Sequence, residues 1–122
     1  MGEVTRGSFV FSGRKAEESA HYFDIVLSRG YHGNLVRLAW DAAHKFGSRV
    51  MDSEFVSFRH GLIRGERACE AAEYFDTKWA EEFAKCPEAG RHALMRSIGR
   101  ELLTETEDKF GVEISVEDGY YY

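Results

Sequence analysis

The chain has 122 residues, of which 43% are hydrophobic, 14% aromatic and 30% charged, with a formal net charge of −5. That length fits one domain burying roughly two-thirds of its unfolded surface, and the aromatic content excludes a disordered chain. No apolar run approaches the ~20 residues that span a bilayer, and the N-terminus MGEVTRGSFVFSG carries too short an apolar patch for a secretory signal, so a soluble, cytoplasmic protein is expected.

Residues 3–11, EVTRGSFVF, are rich in β-branched and aromatic types and end at Ser12-Gly13, which reads as one strand. From Arg14 the apolar period becomes helical, with Ala16, Ala20, Phe23 and Leu27 on one stripe and Arg29-Gly30 as the stop. Asn34 is placed to cap a second helix that buries Leu35, Leu38, Ala39, Ala42 and Phe46 and ends at Gly47. Glu54–His60 reads as a short helix capped by Ser53 and stopped by Gly61; the alternation of Val56 and Phe58 with Ser57 and Arg59 leaves a strand as the other reading.

The clearest helix follows. Ala68, Ala72, Phe75, Trp79, Phe83 and Cys86 fall on one narrow face, and Glu66, Glu70, Glu73, Thr77 and Glu81 on the opposite one. Pro87 ends it and suits the first turn of a last helix. That helix packs Leu94, Met95, Ile98, Leu102 and Phe110, turns Arg96 and Arg100 outward and closes at Gly111. Val112, Ile114 and Val116 then alternate with polar residues as in a strand with one wet face. No internal repeat or linker is read from this order. The expected fold is a single compact α+β domain over residues 1–122, predominantly helical, with four or five helices against a small antiparallel sheet made by the N- and C-terminal strands.

Catalytic and cofactor chemistry finds little purchase. Arg37-Leu38-Ala39-Trp40 resembles the distal helix of plant-type haem peroxidases. The acid–base position there is Asp41, which cannot take up and return a proton at neutral pH as imidazole does, and His44 lies three residues further on. His21, His32, His44, His60 and His92 show no metal-ligand spacing, and no serine or glycine-rich loop has a nucleophile or phosphate-binding pattern. Cys69 and Cys86 lie seventeen positions apart on one helical segment, about 25 Å, which excludes a disulfide between them and points to reduced thiols. No cofactor, no metal and no catalytic residue is expected.

Charge is the remaining signal. Residues 1–65 hold nine Lys/Arg against seven Asp/Glu, and residues 66–122 hold seven against fourteen. Glu66, Glu70, Glu73 and Glu81, flanked by Tyr74, form an acidic helix face with Lys78 and Lys85 off to its side. Glu101, Glu105, Glu107 and Asp108 crowd a helix C-terminus, where the dipole disfavours anions. These features imply a small non-enzymatic protein-binding module, an adaptor or inhibitor. It would dock on a basic, possibly nucleic-acid-handling, partner protein through that face and the terminal Tyr120, Tyr121 and Tyr122. Small acidic proteins of phages and mobile elements offer the analogy. An alternative comes from Ala43-His44-Lys45-Phe46-Gly47, which is similar to the first helix and turn of a helix-turn-helix unit. It implies a DNA-binding regulator using residues 34–60, with Arg49, Arg59 and Arg64 toward phosphates. A small enzyme with a site assembled in three dimensions is the third reading, and self-association through the opposed charges is a further expectation.

Overall fold

The computed structural model describes residues 2–117. Of these, 54% are helical and 21% lie in strands, which is an α+β composition dominated by helix. Ten elements follow one another: β1 (Gly2–Arg6), β2 (Phe9–Gly13), α1 (Ala16–Ser28), α2 (Leu35–Phe46), β3 (Arg49–Met51), β4 (Val56–Phe58), β5 (Gly61–Arg64), α3 (Ala68–Lys85), α4 (Arg91–Phe110) and β6 (Glu113–Val116). The chain divides into two compact units, Met1–Ser57 and Phe58–Tyr122.

In the first unit the single N-terminal strand expected from composition is a hairpin. Gly7, at φ +60°, supplies the left-handed backbone a two-residue turn needs, so Arg6 pairs with Phe9 and Val4 with Phe11. β2 then pairs with β3 through Phe11 and Val50, both fully buried. Between β2 and β3 run α1 and α2. Asn34 caps α2 as expected, its Oδ1 accepting the N–H groups of Val36 at 2.8 Å and Arg37 at 3.3 Å.

The helix expected over Glu54–His60 does not form. Asp52, rather than Ser53, organises this stretch: its Oδ1 accepts from Glu54 N–H at 2.7 Å and Phe55 N–H at 3.0 Å, folding the chain back from β3 into β4. Val56, Ser57 and Phe58 are all buried, and the Ser57 hydroxyl accepts the Val50 N–H at 2.9 Å. A strand covered on both faces loses the alternation by which strands are recognised.

In the second unit β5 pairs antiparallel with β6, Ile63 opposite Ile114. The terminal strands are therefore not each other's partners: β1 pairs with β2 and β6 with β5. β1 reaches β2 through a two-residue turn, whereas β6 reaches β5 only after α3 and α4 have intervened. α3 buries Ala68, Ala71, Ala72, Phe75 and Trp79, and α4 buries Met95, Gly99, Leu102 and Thr106. Pro87 belongs to neither helix, because α4 begins only at Arg91 after Gly90 at φ +74°. Leu27, Leu35, Phe83 and Leu94, expected in the core, are instead exposed.

In chain order the elements run strand–strand–helix–helix–strand twice, β1 to β3 and β4 to β6, and the sequence carries the trace. Gly13–Asp24 and Gly65–Asp76 align without a gap, and seven of the twelve positions are identical: Gly13/Gly65, Ala16/Ala68, Glu18/Glu70, Ala20/Ala72, Tyr22/Tyr74, Phe23/Phe75 and Asp24/Asp76. Lys45-Phe46-Gly47 returns as Lys109-Phe110-Gly111. The chain is thus an internal repeat, contrary to the expectation of none.

Several repeated residues make matching contacts in both copies. Gly47 and Gly111 end α2 and α4 in the left-handed conformation, at φ +71° and +63°. Tyr22 meets Phe46 edge-on at 6.1 Å with Lys45 over its ring at 5.5 Å; Tyr74 meets Phe110 at 5.4 Å with Lys109 over its ring at 5.4 Å. Asp24 accepts from Arg6 Nε of the β1–β2 hairpin at 2.8 Å, and Asp76 accepts from the Arg59 N–H at 2.9 Å.

Candidate functional site: an acidic groove between two helices

The copies diverge in charge and in length. Residues 1–57 hold seven Lys/Arg and seven Asp/Glu, whereas residues 58–122 hold nine and fourteen, so the net charge resides in the second unit. α1 and α3 start at aligned positions, yet α1 has 13 residues and α3 has 18. α2 and α4 end at aligned positions, with 12 and 20 residues. The second helical hairpin is therefore longer at its tip by about 7 Å on α3 and about 12 Å on α4. Phe83 and Leu94 lie on these added turns, beyond the part of the hairpin that has a counterpart in the first unit.

Between α3 and α4 lies a cleft of about 290 Å³ lined by Tyr74, Lys78, Glu82, Ile98, Glu101, Leu102 and Glu105. Its apolar surface comes from Ile98 and Leu102 and its charge from three carboxylates and one ammonium. The spacing of these residues, four apart on α3 and three or four apart on α4, puts each set on one helix face. The Tyr74 hydroxyl donates to the Glu105 carboxylate, and this bond lifts the phenol's pKa above its ordinary value.

Of the partner-binding residues proposed from sequence, Tyr74 alone lines this cleft; Glu101 and Glu105, noted in sequence for crowding the end of the last helix, line it with Tyr74. Glu70, Glu73 and Glu81 are exposed on α3, and Glu66 is exposed in the turn before that helix. The stripe is not left without basic neighbours: Arg67 Nη2 meets Glu70 Oε2 at 3.0 Å, and Lys78 Nζ lies 3.8 Å from Glu81. The hydrogen bond and charge of Arg67 hold the Glu70 carboxyl below its ordinary pKa. Tyr120, Tyr121 and Tyr122 lie outside the described residues. Glu82 had no role in the sequence reading, and Ile98 and Leu102 were expected only as packing residues of the last helix; the second occurrence of the repeat, with its longer hairpin, was the signal that could have placed them at a groove.

Among the described residues no group of three or more His, Cys, Asp and Glu side chains is placed to hold a metal ion, and no helix is long and apolar enough to cross a membrane. Cys69 and Cys86 are both free, the first exposed and the second buried. After Gly47 the chain enters β3 and the Asp52 turn, so residues 48–60 supply no second helix to a helix-turn-helix unit. Comparison with known protein families, curated proteins and solved structures finds no match to this chain.

Proposed function

We propose that this protein is a non-enzymatic binding module, an adaptor or inhibitor, whose second unit docks a basic surface of a partner protein. The observation that carries this reading is the cleft itself: Glu82, Glu101 and Glu105 stand around an apolar wall of Ile98 and Leu102. A lysine or arginine side chain has the matching composition, an aliphatic stem ending in a cationic head. The first unit, with equal numbers of acidic and basic residues, offers no such excess. A nucleic-acid-handling protein is the natural class of partner, since its own basic surface would be the target. The acidic excess of the second unit opposes direct duplex binding. The exposed Glu66, Glu70, Glu73 and Glu81 extend the acidic field, and Tyr120–Tyr122 would add apolar contact. The setting is a cytoplasmic one, with the analogy to phage and mobile-element proteins.

The test is kinetic. A partner is recovered by affinity capture after nuclease treatment, and its association with wild type is compared with that of Glu82→Gln/Glu101→Gln/Glu105→Gln. Charge complementarity governs encounter more than residence. The triple variant should associate about tenfold more slowly at low salt, and the difference should shrink above ~0.15 M, where the screening length is ~8 Å. An unchanged association rate with thermal stability preserved would remove the groove from the function. Binding lost on nuclease treatment would instead point to nucleic acid as the ligand.

A further inference from the structure

The N-terminal half of α4 presents a row that is complementary to itself. Arg91, Leu94, Ile98 and Glu101 recur at intervals of three, four and three along one flank of the helix, beside the buried stripe of Met95, Gly99 and Leu102. Leu94 is 46% exposed and Ile98 half-buried, so the middle of the row is apolar. One end carries a cation and the other an anion. Laid antiparallel on a second copy about the midpoint of the row, Leu94 faces Ile98 of the other copy, and Arg91 faces its Glu101. Two-fold symmetry makes each of these contacts twice, which is the condition an isologous interface must meet.

We propose that the chain self-associates as a two-fold dimer through this row of α4, a second copy of the same chain being its occupant. The charge pattern is the argument for a copy of itself rather than another protein. The hairpin tip, residues 81–98, holds three acidic and three basic residues and is neutral, in contrast to the acidic unit that bears it. A neutral tip with exposed Phe83 and Leu94 repels a second copy far less than the rest of the unit would. Arg91 is also held in place within its own chain: Nη2 donates to the Cys86 carbonyl at 3.0 Å, and the guanidinium lies over the Phe83 ring at 4.5 Å. Its remaining N–H groups can serve a carboxylate. Because Ile98 and Glu101 also line the groove, the dimer and a cationic partner exclude one another at those residues. The dimer itself does not depend on the proposed partner and is measured on the protein alone.

The experiment is sedimentation equilibrium of the full chain over roughly 1–200 µM, the range expected of a transient interface below ~1,200 Å². A monomer–dimer equilibrium is expected. Glu101→Arg, which sets two cations opposite each other, should weaken it about tenfold or more. The reversed pair Arg91→Glu/Glu101→Arg should return it to within about threefold of wild type. Leu94→Asp, at an exposed position, leaves helicity by circular dichroism unchanged and should yield monomer. A monomer at every concentration overturns the proposal, as does a dimer that Leu94→Asp and Glu101→Arg both leave intact. Failure of a natively helical reversed pair to recover overturns it as well.

Discussion

Removing the ring of Phe75 should destabilise the protein by about 3–5 kcal/mol. The side chain is fully buried, edge-on to Phe58 at 4.8 Å and to His60 at 5.4 Å, and stacked with Trp79 at 6.2 Å. Truncation to alanine forfeits roughly 1.5–3 kcal/mol of transfer free energy. The cavity left by a phenyl group adds on the order of 2 kcal/mol at ~24 cal/mol per Å³, less whatever the neighbours recover by relaxing. Three aromatic neighbours fixed by mutual packing relax little, which keeps the value in the upper part of the range. Against a total of about 5–15 kcal/mol for a chain of this size, that is a large share. In urea titration followed by circular dichroism, a slope of ~2 kcal/mol/M converts the loss into a midpoint lowered by roughly 2 M. Glu73→Ala, two residues earlier and exposed, should stay within about 0.5 kcal/mol of wild type. A midpoint for Phe75→Ala within ~0.5 M of that control, with the slope unchanged, would refute the placement of α3 on its core.

Tyr74 should ionise above the ordinary tyrosine range, because the Glu105 carboxylate accepts its hydroxyl proton and opposes the phenolate. The folded pKa is raised, so the bond contributes stability below pH ~10 and loses it as pH rises through the folded value. Absorbance titration of the tyrosinate should show a late-ionising group that Glu105→Gln moves downward; a curve unaltered by that change would break the pairing. Gly61→Ala should be severely destabilising, since a Cβ there would lie 2.0 Å from the Ser115 carbonyl oxygen across the β5–β6 pair. Native melting of that variant would show that the two strands pair differently. Gly47→Ala and Gly111→Ala should each cost about 1 kcal/mol, the penalty of a left-handed cap without glycine. Thermal melts showing no loss for either would argue against those helix ends.

Much of the fold was legible because its causes are local. Asn34 as a cap, Gly47 and Gly111 as stops, and the stripes of α1 and α3 up to Phe23 and Trp79 follow from hydrogen bonds and spacing within one helix. The wet-faced strand after Gly111 was legible for the same reason. The repeat was present in sequence too, in Gly13–Asp24 and Gly65–Asp76. It is invisible to a reading that takes elements one at a time. Tertiary structure decided the rest. No residue in β1 or β6 encodes its partner: β1 pairs across a two-residue turn and β6 across two intervening helices. Val56–Phe58 became a strand because both of its faces found cover. The acidic helix face of Glu66, Glu70, Glu73 and Glu81 is visible from a helical wheel. A groove is not, because its walls, Glu82 on α3 and Ile98, Glu101 and Glu105 on α4, come together only when two helices pack side by side.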